Sequence, residues 1–291
     1  MAGAKEIKNR ISSVSDTKKI TNAMYLISST KLKRARKSME DIEPFFYGIQ
    51  NLILRMMRHF PETDHPFLKN SSDTRKDGET HGFLVITADK GLAGSYNFNV
   101  LKATELAAGN EPKKLFVVGE VGRRYFEQRM IPIEEHFQYT AQNPTRARAR
   151  VITATFLEKY RLREITDLSV VFTAMKNAMD AETKIMKLLP FEVTLPKEEI
   201  PHDVRMQEFL MHPSPEAIIE EIVPAYISGF VYSALVESYC AEQNSRMQAM
   251  SAANDSADEI IQELSIRYNK ERQGAITQEI TEVSAGARAR L

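Results

Sequence analysis

A chain of 291 residues is long enough to bury a substantial core and to hold one or two domains. Its 39 Lys and Arg balance 39 Asp and Glu, which leaves nucleic-acid binding by bulk electrostatics without support. The single cysteine, Cys240, excludes an internal disulfide framework and points to a reduced, intracellular setting.

The opening stretch MAGAKEIKNRI has no apolar core, so no signal peptide is expected. Residues 4 to 60 read as helix, with apolar positions at Ile7, Ile11 and Val14 and again at Ile20, Met24 and Ile27. Pro44 marks a kink or break, and Pro61 and Pro66 end the segment. A polar linker, NSSDTRKDGETH, follows at residues 70 to 81.

Beyond it the pattern changes. GFLVITA (82 to 88), KLFVVG (114 to 119) and LSVVFTA (168 to 174) are short, β-branched, apolar runs of the kind that form buried strands. Helix-like stretches lie between them near 97 to 108, 120 to 129 and 145 to 163. This alternation predicts an α/β unit with a largely parallel sheet. Residues 190 to 213 are rich in proline and read as loop.

Ser214-Pro215-Glu216 supplies an N-cap, a first-turn proline and a first-turn acid. Pro224 is expected to interrupt this helix after about two turns. From Ala225 to Ala285 no proline occurs, which predicts roughly 60 helical residues, about 90 Å of helix. The stretch IVPAYISGFVYSALV (222 to 236) is too short and too broken for a bilayer, so no membrane span is expected and membrane association would come through partners.

Met247, Met250, Asn254, Ala257, Ile261, Leu264 and Tyr268 repeat at alternating spacings of three and four, the signature of a left-handed coiled coil. Charge names the partner helix. Residues 1 to 40 carry ten basic residues against three acids, and residues 214 to 286 carry twelve acids against four bases. The predicted fold is therefore α/β with a long antiparallel coiled coil, formed by the N- and C-terminal helices, around an inserted Rossmann-like α/β domain. The expected segments are 1–69 and 214–291 for the helices and 70–213 for the domain.

Candidate chemistry is sparse. DKGLAGSYN (89 to 97) follows a strand but matches neither GxxxxGK[ST] nor GxGxxG, so ordinary turn chemistry is expected and no bound nucleotide. His59, His65, His81, His136, His202 and His212 lack metal-ligand spacing. No cofactor or metal is expected. TRARARV (145 to 151) reads as a solvated face, because alternating Arg and Ala spread charge around a helix. KLKRARK (31 to 37) is denser: it is either a surface run or an attraction site for an acidic partner. Arg272 and Gln273 lie beyond the heptad stripe beside Gly274, with Thr277 and Glu279 close by. They form either a solvated helix end or a site that hydrogen-bonds a surrounding protein.

Three motifs carry a resemblance: MAGAKEIKNRISSVSDTKKITNAMYLISSTKLKRA, DKGLAGSYN, and RMQAMSAANDSADEIIQELSIRYNKERQGAITQEITE. In this order they bracket nearly the whole chain, which resembles the gamma subunits of rotary F-type ATP synthases. The resemblance implies a non-catalytic rotor shaft that turns inside a ring of alpha and beta subunits. Its foot would rest with an epsilon subunit on a membrane ring of c subunits, coupling proton or sodium flow to ATP synthesis at the cytoplasmic face of a bacterial plasma membrane. It further implies that Arg272, Gln273, Thr277 and Glu279 meet a beta-subunit loop. Met24 would lie near an acidic beta-subunit lever, to which Lys31, Lys33 and Arg34 are suited. Family tails end in small apolar residues, whereas AGARARL carries Arg288 and Arg290, and the cysteine-bearing regulatory insertion of the chloroplast type is absent. A free-standing coiled-coil scaffold is the alternative reading, with a nucleotide-binding α/β enzyme far behind.

Overall fold

The computed structural model describes residues 2–40, 48–49, 51–53, 56, 65–68, 80–109, 111–138, 141–177, 180–191, 212 and 214–288. Pro44, Pro61, most of the 70–81 linker and nearly all of the proline-rich 190–213 stretch lie outside them. The chain divides into two compact units, one of Met1–Thr30 with Arg246–Leu291 and one of Lys31–Ser245.

In chain order the elements are α1 (Ala2–Glu40), β1 (His81–Ile86), α2 (Tyr96–Ala108), β2 (Lys113–Val118), α3 (Glu120–Gln128), β3 (Ile133–Phe137), α4 (Arg146–Arg161), β4 (Asp167–Met175), β5 (Ala181–Leu189) and α5 (Pro215–Arg288). The larger unit is built on one sheet of strand order β3-β2-β1-β4-β5. The first four strands are parallel and β5 runs antiparallel at the edge.

Both faces of this sheet are covered, which is why its central strands read as unbroken apolar runs rather than as alternation. Leu84, Ile86, Phe116, Val118, Val170 and Phe172 face α4 and α5, where Phe156, Ile227, Phe230 and Val231 pack against them. Phe83, Val85, Leu115, Val117 and Val171 face the other way, onto Val100 and Leu101 of α2 and Phe126 of α3. Edge-on aromatic pairs join sheet to helix: Phe116 with Phe156 at 4.8 Å and Phe172 with Phe230 at 5.7 Å between ring centroids.

The edge strands escape the sequence pattern for a physical reason. β3 (IEEHF) and β5 (AETKIMKLL) each have a neighbour on one side only; β3 buries Phe137 alone and β5 exposes most of its side chains, so no unbroken apolar run is required and charge is favoured.

One further expectation needs correction. Pro224 does not interrupt α5, which runs on through it. A proline removes one N–H donor, but here burial of Val223, Tyr226 and Ile227 around it holds the backbone helical. A stretch of α5 is apolar enough by length and composition to pass for a membrane span. Its residues Ile219, Val223, Ile227, Phe230, Val231, Ala234 and Leu235 are instead buried in the core of the larger unit.

DKGLAGSYN is turn chemistry. Asp89 Oδ1 accepts from the Glu120 amide at 3.1 Å, and Asn97 Oδ1 accepts from the Ala88 amide at 2.9 Å. Leu92 and Gly94 both take positive φ within the turn.

Candidate interaction surface of the helix pair

Within the smaller unit α1 and α5 pair antiparallel. Lys18 Nζ meets Asp258 at 2.5 Å, and Thr21 Oγ1 donates to Asn254 Oδ1 one turn further on. On α5 every residue of the expected stripe is buried or half-buried: Met247, Met250, Asn254, Ala257, Ile261, Leu264 and Tyr268. The three-four repeat is thus a packed seam.

The facing seam on α1 differs from the expectation. Ile7, Ile11 and Val14 lie in it, but it continues through Lys18, Thr21, Tyr25 and Ser28 at unbroken four-three spacing. Ile20 and Ile27 point outward at 62% and 54% exposure, and Met24 is half-buried at the seam's flank. Lys18 and Thr21 hold their places in the seam because each finds a cross-helix partner on α5. The apolar residues thereby freed remain uncovered.

The residues implied by the resemblance fall into separate groups. Arg272, Gln273, Thr277 and Glu279 are all exposed and lie within about two turns of α5. Thr277 Oγ1 donates to the Gln273 carbonyl at 2.9 Å, and Thr281 repeats the pattern onto Thr277 at 2.7 Å. Such back-bonding satisfies the hydroxyls locally. Among the described residues Arg272 and Glu279 enter no ion pair, so their charges face outward. The antiparallel register puts Met24 opposite α5 near Ser251, some twenty residues or about 30 Å from Arg272 along that helix. Lys31, Lys33 and Arg34, in the larger unit, are exposed, while Leu32 and Ala35 between them are buried.

Sequence reasoning missed a second feature. Ile276, Ile280 and Val283, spaced four and three apart, are 44%, 62% and 73% exposed on a face turned away from the seam stripe. In the register set by Lys18 and Asp258 these three lie on α5 past the start of α1, whereas Ile20, Leu26 and Ile27 of α1 make the outside of the helix pair apolar in places. The signal was present in GAITQEITEV, where Ile276, Ile280 and Val283 keep helical spacing but fall out of step with the heptad.

Catalytic equipment is sparse here. Among the described residues no group of three His, Cys, Asp or Glu is arranged to hold a metal ion. Cys240 is buried, and burial pushes its thiol up to about 11, away from the reactive thiolate.

Comparison with known proteins agrees with the architecture. The ATP synthase family model matches residues 3–289. The chain is 38% identical to the ATP synthase gamma chain of Ruminiclostridium cellulolyticum over 289 residues, covering 98% of each chain. It is likewise 38% identical to that of Caldanaerobacter subterraneus, over 98% of this chain and 99% of the other. Among solved structures, a chain of the central stalk and c-ring of the Tetrahymena thermophila mitochondrial ATP synthase shares the fold with a TM-score of 0.61 and 24% identity, covering 80% of this chain and 99% of that one. A match along nearly the full length, joined to an antiparallel helix pair and a five-stranded α/β unit, leads to one assignment: the chain belongs to the family of ATP synthase gamma chains.

Proposed function

We propose that the chain is the central rotor shaft of a rotary ATP synthase. It carries torque between a membrane ring of c subunits and the catalytic beta subunits, and so couples proton transport to ATP synthesis. The chain catalyses nothing by itself. Its partners are the alpha and beta subunits, an epsilon subunit and the c-ring, and it sits peripherally at the cytoplasmic face of a bacterial plasma membrane through the complex. Residues 1–69 and 214–291 supply the shaft, and residues 70–213 the foot.

The observation that carries this reading is the helix pair of the smaller unit. Its seam is closed by its own residues, while Ile20 and Ile27 stay apolar and uncovered on its outside, as do Ile276, Ile280 and Val283 on α5 beyond the start of α1. A rod of this kind suits a sleeve of other chains; a free-standing scaffold would leave the same surface to water. Arg272, Gln273, Thr277 and Glu279 then grip a beta-subunit loop at certain rotor angles. Met24, Lys31, Lys33 and Arg34 face an acidic beta-subunit lever.

The test is ATPase turnover of the complex assembled with alpha and beta subunits, with stoichiometry checked first. A charge-assisted hydrogen bond contributes about 1.5–3 kcal/mol, so Arg272→Ala lowers turnover several-fold while the shaft stays folded. Gln273→Ala acts in the same direction, and the double variant is less than additive because both serve one contact. Glu263→Ala, which breaks only an exposed ion pair to Arg267, leaves turnover nearly unchanged. Normal turnover in the Arg272 and Gln273 variants would return these residues to a solvated helix end.

A further inference from the structure

In the larger unit, α4 and α5 flank an open cleft of about 540 Å³ that the rotor reading leaves unused. A volume of this size falls within the roughly 300–1,000 Å³ of small-molecule sites. From α4 come Arg146, Arg150, Thr153 and Leu157, at spacings of four, three and four, so they share one face of the helix. From α5 come Pro224 and Tyr232. The charged residues stand toward the start of α4 and the apolar ones further along it.

Two features mark the cleft as more than a gap between helices. The first is charge. Arg146 and Arg150 are exposed, one turn apart, and among the described residues neither enters an ion pair. Arg148 between them behaves differently, reaching back to the Asn143 carbonyl at 2.6 Å. Charge along TRARARV is therefore not spread evenly around the helix: two guanidiniums are presented together on the cleft.

The second is a hydroxyl. Thr153 is 3% exposed, and its buried Oγ1 has no hydrogen-bond partner among the described residues. A threonine inside a helix normally donates to the carbonyl four residues earlier. Thr155 does so, to Val151 at 3.1 Å. Thr153 leaves its hydroxyl unspent in the wall of the cleft, where a ligand atom could satisfy it.

We propose that this cleft binds a small amphiphilic carboxylate. The carboxylate sits against the Arg146 and Arg150 guanidiniums and accepts a hydrogen bond from Thr153, because planar forked donors match its two oxygens. The apolar body lies along Leu157 and Pro224, losing its contact with water. The proposal stands apart from the rotor reading, since it uses neither the seam nor the 272–279 cluster.

The probe is octanoate, titrated calorimetrically into the full-length chain, with 1-octanol as its uncharged counterpart. Expected are one saturable site per chain and at least tenfold weaker binding of 1-octanol. Octanoate binding falls at least tenfold in the Arg146→Ala/Arg150→Ala double variant. Thr153→Val keeps the shape of the wall but removes the hydroxyl, and weakens octanoate several-fold. Because both arginines are exposed, the double variant folds normally, and it carries the test if Thr153→Val does not. Absence of saturable binding overturns the proposal. So does equal binding by the double variant, or by 1-octanol, since either means unspecific apolar association. Binding by the free chain that vanishes in the complex assembled with its partner subunits also overturns it, because the cleft is then a protein interface.

Discussion

Lys18 Nζ lies 2.5 Å from one carboxylate oxygen of Asp258 and 2.6 Å from the other, joining residues 240 positions apart in the chain. One turn away Thr21 donates to Asn254, and the two pairs step in opposite directions along α1 and α5. Two polar ties at successive levels leave a single antiparallel register for the seam, which apolar residues alone would permit to slide by a heptad.

These ties contribute more to register than to stability. The Lys18 and Asp258 side chains are 36% and 60% exposed, so a double-mutant cycle on Lys18→Ala and Asp258→Ala is expected to give a coupling of about 0.2–1 kcal/mol. That coupling should disappear in 1 M salt. Denaturant melts of the four proteins at low and high salt check it.

Ser238 closes a gap at the end of the parallel sheet. β1 pairs with β4 only as far as Val85 and Val171. The Thr173 amide beyond donates instead to Ser238 Oγ of α5 at 3.2 Å, at a site where Ser238 is 1% exposed. Ser238→Ala leaves that buried N–H unpaired and is expected to cost about 1–3 kcal/mol. Hydrogen exchange at the Thr173 amide should accelerate accordingly.

Two glycines answer alanine in opposite ways. Gly119 has φ +94°, and a Cβ there would lie 2.3 Å from the Thr87 carbonyl oxygen. Gly119→Ala is expected to destabilise the larger unit by about 3 kcal/mol or more, combining backbone strain with overpacking. Gly274, in exposed helix with nothing within 4 Å of such a Cβ, should gain up to about 1 kcal/mol of helix stability from alanine. Urea melts read the first change, and amide protection around residues 270 to 280 the second.

Stability should fall on both sides of a neutral plateau. Arg123 and Arg124 hold the Glu120 carboxyl at about 2, and Lys159 and Lys114 lower Glu134 and Glu164. A carboxyl depressed in the folded state stabilises above its unfolded pKa, near 4.3, and loses that contribution as pH falls through the folded value. The acid limb therefore lies between about pH 5 and 2. Lys114 and Lys159 are raised by the same glutamates, so their contribution is present below about 10.4 and fades only at higher pH. Glu134→Gln is expected to lower Tm by roughly 2–4 °C at pH 7, and hardly at pH 2, as a pH series of thermal melts will read.

Cys240 should resist thiol reagents at pH 8 in the native chain, because it is buried and its thiol is pushed up to about 11. Labelling should keep pace with unfolding as denaturant rises. Rapid labelling without denaturant would contradict the burial.

What the sequence determined by itself was whatever repeats or fills a local pattern. The strands around Leu84, Phe116 and Val170 were legible because both of their faces are buried, and unbroken apolar runs survive translation into a string of letters. The α5 seam was legible because a three-four repeat is a property of one helix, and opposite charge on the terminal segments named its partner. Tertiary structure decided what depends on a neighbour. It put Lys18 and Thr21 in the α1 seam and left Ile20 and Ile27 outside, because polar groups are accepted inward wherever a facing residue such as Asp258 or Asn254 satisfies them. It carried α5 through Pro224, because packing on the sheet outweighs one lost hydrogen bond. It also brought Arg146, Arg150 and the unpaired Thr153 hydroxyl to one cleft with Pro224, a grouping 78 residues wide that no local spacing encodes, since only the packing of α4 beside α5 brings those side chains together.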